Sequence, residues 1–229
     1  MFVKVYVKRL LSGLEKKVGK HYVRSLLKQY STTARTLDLG CGQSVLAEYF
    51  PDRVGLDIQR NDAVNVEGDA HHLPFKDDSF KQIVCSEVLE HLQYPGQAVR
   101  EMHRILESEG KLVLTVPFVY PLHEGPHDYQ RFTEYGLKTL FDPFFHIEKI
   151  DPIFSEEQTL AILLQRTAFQ RRDGAFRYYF YLFMAHCMFR FSKNADQIKS
   201  ERFQGLGSTT QGTFLTANYL LVGRNREKE

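Results

Sequence analysis

Residues 34–44 read ARTLDLGCGQS, and this stretch decides the fold. Leu37 and Leu39 flank Asp38 in a short β-prone run that ends on Gly40 and Gly42. Glycine permits a tight turn and lets a ligand approach the backbone, with the amides of a following helix facing it. The pattern therefore predicts a strand, a glycine turn and a helix over 44–50. A dinucleotide fingerprint would place a third glycine at position 45, where this chain has Val45, so a pyrophosphate is not the expected ligand.

The period continues outward from that turn. Strands are expected at 52–58 (DRVGLDI), 63–70 (AVNVEGDA), 80–88 (FKQIVCSEV), 110–118 (GKLVLTVPF), 144–150 (FFHIEKI) and 216–224 (TANYLLVGR). Helices are expected at 95–107, where Val99, Met102, His103 and Leu106 share a face, and at 133–141, with Thr133 as N-cap. Strands alternating with helices mean a mostly parallel sheet covered on both faces. Asp57, Asp69, Ser86 and Glu87 fall at successive strand ends, on the edge where open α/β sheets bind ligands. A carboxylate at Asp57 is placed to accept the hydroxyls of a ribose.

Composition narrows the class. With 229 residues, 43% of them apolar and 25% charged, the chain can bury a core. A net charge of +2 gives no reason to expect nucleic acid as a partner. Three scattered cysteines make no disulfide framework and point to a reducing compartment. No cleavable leader and no spanning segment is read, so a cytoplasmic location is expected. Residues 1–33 read as a basic amphipathic helical segment, with Lys4, Lys8, Lys16, Lys20, Arg24 and Lys28 at multiples of four and Gly13 and Gly19 as breaks. That basic face fits contact with an anionic inner membrane surface or a phosphorylated substrate.

Residues 123–127, HEGPH, have the spacing of the zinc-protease signature H-E-x-x-H. The signature works on a helix, and Gly125-Pro126 is hostile to one. The expectation is a loop, no zincin and no metal. Between the last two strands, residues 155–213 form an insert opened by the capping box Ser155 to Gln158. Its run FRYYFYLFMAHCMFRF is apolar nearly all round as a helix, which implies burial in core, a homodimer interface or lipid.

LDLGCG, VGLDI, EGDAHHLPF, FKQIVCSEVLEHL and EGKLVLTVPF together resemble the class I S-adenosylmethionine-dependent methyltransferases, over about 34–150 and again at 214–224. The resemblance implies an α/β, Rossmann-like sheet of seven strands, the last antiparallel, with the helical insert between the last two. The methyltransferase domain would then run 34–224, with a tail at 225–229. It implies that Asp38, Gly40 and Gly42 hold the methionine part of S-adenosylmethionine, Asp57 the ribose, Asp69 and Ala70 the adenine, and Ser86 and Glu87 the floor. The third loop glycine usual in the family is Ser44 here.

The stretch VPFVYPLHEGPHDYQRFTEYGLKTLF resembles a loop and helix found in a subset of these enzymes tied to bacterial polysaccharide and cell-envelope glycan biosynthesis. It implies a small-molecule or lipid-linked acceptor, with Tyr129 and Arg131 as acceptor contacts. A hydroxyl acceptor needs a base, and histidine is the usual one. His127 is the first candidate, oriented by Asp128 and Tyr129 and lying deep in the Pro-Gly segment; His123 and His91 follow. O-methylation of a sugar or lipid-linked glycan is the expected activity. Carbon methylation of a quinone-like ring, and a cofactor-binding subunit without catalysis, are the alternatives.

Overall fold

The computed structural model describes residues 12–43, 46–170, 174–192 and 215–228. The sequence readings on 1–11, on Ser44 and Val45, and on the loop 204–213 lie outside these residues. The chain forms two compact units. The smaller takes described residues within Met1–Val23, Val119–Pro121 and Pro152–Ala217, and the larger takes Arg24–Phe118, Leu122–Asp151 and those within Asn218–Glu229.

The larger unit carries most of the sheet, whose order is β3-β2-β1-β4-β5-β7-β6. Its strands are β1 (Thr36–Leu39), β2 (Arg53–Asp57), β3 (Val66–Glu67), β4 (Phe80–Ser86), β5 (Leu106–Pro117), β6 (Phe145–Pro152) and β7 (Asn218–Asn225). β1 to β5 pair in parallel, and β7 runs antiparallel to β5. This is the class I methyltransferase sheet. The strand order reverses between β1 and β4, where α/β sheets open a ligand crevice at their carboxyl edge.

Helices α1 (Lys20–Lys28), α2 (Pro95–Ile105) and α3 (Glu134–Phe141) follow the expected periodicity. Gly19, at φ +83°, stands immediately before α1, so the break read there is real. Thr133 caps α3 by accepting the Gly136 amide at 3.0 Å. α2 sends Ala98, Val99, Met102 and Ile105 into a core with Leu37, Leu39, Ile83, Cys85, Leu112 and Leu114. Asn225, fully buried, knots the end of α2 to β5 by donating to the carbonyls of His103 and Leu106 at 3.0 and 2.7 Å.

Three expectations on element bounds fail. The strand read over 63–70 shrinks to the two residues of β3. Residues 46–50 form a turn, not a helix: the Tyr49 amide bonds the Leu46 carbonyl, Phe50 is buried, and Pro51 follows at once. So short a segment repays no helix nucleation. β5 also starts four residues early, at Leu106, because Glu109 takes φ +60° and the register shifts between Phe80 and Gln82.

In the smaller unit, α4 (Glu156–Gln170) begins with the capping box, Gln158 and Ser155 exchanging bonds of 3.2 Å. Buried Gln165 accepts the Val18 amide at 2.9 Å and donates to the Lys16 carbonyl at 2.8 Å. α5 (Ala175–Phe191) buries only Leu182 and Ala185. Phe176 and Phe191 are 84% and 83% exposed, and Phe180 and Phe183 about half. Burial as simple core is therefore excluded for most of this helix, and an apolar face is left at the surface.

One clamp outside the site makes a stability test. Arg104 donates to both Glu101 oxygens at 2.8 and 2.7 Å and to the carbonyls of Leu73 and Phe75, while Glu101 accepts the Leu73 amide. The Arg104 bonds hold the Glu101 carboxyl below its usual range, outweighing burial, and the Leu73 amide adds to this. A depressed folded-state pKa contributes stability above the unfolded value and loses it as pH falls. Glu101→Gln should lower urea stability at pH 7 by about 1.5–3 kcal/mol, and the gap to wild type should close below about pH 4.

Candidate active site at the carboxyl edge of the sheet

The site lies within the larger unit, where β1, β2 and β4 end. Gly40 turns the chain at φ +67°, with its amide on the Leu56 carbonyl at 2.8 Å. A Cβ there would stand 2.2 Å from Val88 Cγ2, so no other residue fits without displacing the segment after β4. Gly42, at φ +51°, faces open space, which leaves room for a ligand over its backbone.

Asp57 accepts the Gly42 amide at 2.8 Å and the Gln59 amide at 2.9 Å, one on each oxygen. A carboxylate has about four lone-pair sites, so capacity for a ribose remains. Ile58, next along the chain and 67% exposed, presents an apolar surface that sequence reading missed; an exposed aliphatic residue directly after a strand-end acid was the available signal. Asp69 accepts the His71 amide and ring at 2.9 and 2.6 Å. Burial raises its carboxyl, but the His71 contacts win and hold it low. Ala70 beside it is buried. An open glycine cradle, a strand-end carboxylate and an apolar shelf suit the methionine, ribose and adenine parts of S-adenosylmethionine.

Asp38 is tied into the sheet. It is 3% exposed, and its Oδ2 accepts Arg53 Nε–H at 2.8 Å. Through this bond its carboxylate braces β1 against β2. Gly55 makes this possible, because a Cβ there would meet the Arg53 guanidinium at 2.3 Å.

At the end of β4, Ser86 donates to Thr115, which donates to Glu87 Oε1 at 3.0 Å, while Asn218 donates to Glu87 Oε2 at 2.7 Å. Burial, then the nearby Glu90 carboxylate, pushes the Glu87 carboxyl up to about 8. Leu89–His91 form a 3-10 turn with Glu90 fully buried. The loop after β5 is pinned to this turn: the Tyr129 and Gln130 amides both donate to the Glu90 carbonyl, at 2.9 and 3.3 Å. His91 Nδ1 donates to the His127 carbonyl at 2.7 Å, and the His91 and His123 rings lie 5.0 Å apart.

The three candidate histidines thus share one loop-and-turn assembly, in different settings. His123 is half-buried, and contact with Glu90 and Asp128 raises its pKa against the effect of burial. His127 is exposed, not deep, with Nδ1 3.0 Å from the Tyr129 hydroxyl. Asp128 does not orient it; that carboxylate takes Arg131 on both oxygens, at 2.5 and 2.7 Å, and the His123 amide. The Arg131 pair holds Asp128 well below the carboxylate range. HEGPH carries no helix, so zincin geometry is absent.

Residues 37–114 match the family described as "Methyltransferase domain". The chain is 31% identical over 122 residues to the uncharacterized protein MJ0638 of Methanocaldococcus jannaschii, covering 48% of this chain and 53% of that one. It is 32% identical over 121 residues to a demethylmenaquinone methyltransferase of Renibacterium salmoninarum, covering 46% and 49%. The chain spans about half the length of the curated relatives it matches. Among solved structures, the [4+2]-cyclase SpnF is similar at TM-score 0.57 and 17% identity, over 90% of this chain and 81% of that one.

Asp57→Ala should weaken S-adenosylmethionine or S-adenosylhomocysteine binding by about 1.5–3 kcal/mol in calorimetry, and NAD should not bind at all. Unchanged affinity in a folded variant would remove Asp57 from the site. The sheet order, the glycine turn and the matched stretch agree: residues 37–114 resemble a methyltransferase domain, set in a sheet of the class I methyltransferase fold.

Proposed function

We propose that this protein methylates a hydroxyl of a sugar or lipid-linked glycan, using S-adenosylmethionine. The observation that supports the reading is the pinned loop after β5, which gathers three imidazoles beside the strand edge that carries the glycine cradle. The cofactor supplies a methyl group on a sulfonium, and the protein's share is proximity, orientation and removal of a proton.

His127 is the proton acceptor in this reading. Its ring is exposed to an incoming acceptor and held by Tyr129, whereas the His91 and His123 rings stand against buried Glu90. His127→Asn should lower the rate at saturating substrates by about 100- to 10,000-fold while leaving cofactor affinity unchanged. A variant that keeps its rate and loses only acceptor affinity makes the loop a binding clamp.

Carbon methylation of a quinone-like ring is a second reading, favoured by the likeness to a demethylmenaquinone methyltransferase. Supplying isotopically labelled S-adenosylmethionine with glycan and quinone acceptors, and locating the label by NMR on oxygen or ring carbon, separates the two. Label on neither, with the cofactor bound, favours a subunit without catalysis. No helix among the described residues is long and apolar enough to cross a membrane. The exposed aromatic face of α5 supports docking at a membrane surface or a second copy of the chain. Co-sedimentation with anionic vesicles tests the first, and sedimentation velocity the second.

A further inference from the structure

Glu90 is the anomaly of the site. It is fully buried, and neither carboxylate oxygen has a hydrogen-bond partner. Its Oε1 faces two imidazoles instead, His91 Nε2 at 3.6 Å and His123 Nε2 at 3.7 Å. A ligand atom from each of the three lies within 4.8 Å of the others. We propose that Glu90, His91 and His123 bind a divalent first-row transition-metal ion.

The distances suit an ion. Ligands about 2.1 Å from a tetrahedral metal stand about 3.4 Å apart, so the carboxylate and each ring need to close by only a few tenths of an ångström, and the two ring nitrogens lie within 4.8 Å of each other. The rings are also oriented from behind. A carbonyl oxygen can only accept, so His91 carries its proton on Nδ1, toward His127, and its Nε2 lone pair is directed elsewhere. His123 Nδ1 stands between Asp128 Oδ2, at 3.3 Å, and Arg131 Nη2, at 3.5 Å. The His91 ring is held as metal-binding histidines are, by a carbonyl on the far nitrogen. Glu87 adds a second acid beside Glu90, and Glu124 Oε2 lies 3.8 Å from His91 Nε2 on the solvent side.

Two imidazoles and one carboxylate favour Mn²⁺, Fe²⁺, Co²⁺ or Zn²⁺ over Mg²⁺ and leave coordination positions open. The HEGPH loop then contributes His123 by its ring and His127 by its carbonyl. This replaces the helical i, i+4 pair with residues from two separate segments. The metal's role, though not its binding, rests on the methyl-transfer reading: an open position takes the acceptor hydroxyl and makes it more acidic. His127, whose ring lies outside the ligand set, then receives the proton.

Untagged protein stripped by a chelator should bind Mn²⁺ or Zn²⁺ at one equivalent in calorimetry, and Co²⁺ should give visible absorption bands of a histidine-ligated ion. His91→Ala and His123→Ala should each weaken binding by at least about 100-fold while S-adenosylhomocysteine affinity, the control for folding, stays at the wild-type value. Glu90→Gln should abolish metal binding yet leave the metal-free protein melting close to wild type, because neither Glu90 carboxylate oxygen has a hydrogen-bond partner to lose. The proposal is overturned if the wild type binds none of these ions at stoichiometry, or if all three variants bind as wild type does. Metal binding without methyl transfer to any acceptor would instead sink the functional reading and leave the site standing.

Discussion

The Asp38–Arg53 pair is the constraint on which the ligand edge of the sheet depends. Both side chains are nearly buried, at 4% and 9% exposure. Arg53 also donates to the Ala63 carbonyl, so one guanidinium ties β1, β2 and the segment leading to β3. A buried ion pair is weak evidence of net stability, because desolvation offsets the attraction; losing one partner is what costs heavily. Its use here is positional. It keeps β1 and β2 in register, and that register delivers Gly40, Gly42 and Asp57 to one edge.

Much of this was legible in the sequence because it rests on local chemistry. Strand ends were marked by acids after apolar runs, and α3 by a threonine cap. The capping box announced α4. What went unread turns on side-chain partners that the residue pattern does not announce. The pairing of Asp38 with Arg53 went unread, and Arg53 reaches it past Gly55, where a Cβ would meet the guanidinium. Asp128 looks like an orienter of His127, its neighbour, but its geometry matches Arg131. Glu90 drew no notice within EVLEHL, since nothing local tells a buried acid from a solvated one on a short turn. The spacing of Glu87, Glu90 and His91 was the available clue, and it gains meaning only when the loop brings His123 opposite.

Fold and chemistry separate clearly here. A cyclase shares the architecture at low identity, so the sheet alone says where a cofactor lies and not what becomes of it. The distinguishing content is the pinned loop, whose hydrogen bonds to one carbonyl on the turn after β4 make it an extension of the sheet edge. Groups held that way are preorganised, which a free surface loop is not.

The antiparallel partner of β5 has a consequence for how the protein assembles. β7 joins β5 across a chain separation of 115 residues at the Arg224–Glu109 contact, after the whole insert has been traversed. Pairings so remote in sequence must repay a large loop-closure entropy before they stabilise anything, and they slow folding. Until β7 docks, β5 is an open strand edge with unpaired backbone groups, and such an edge invites association with other chains. Asn218 arrives with the same strand and bonds Glu87. The strand that closes the sheet is thus also the strand that partners the buried Glu87, and a chain caught before it docks would leave both the β5 edge and that carboxyl without their partners from β7.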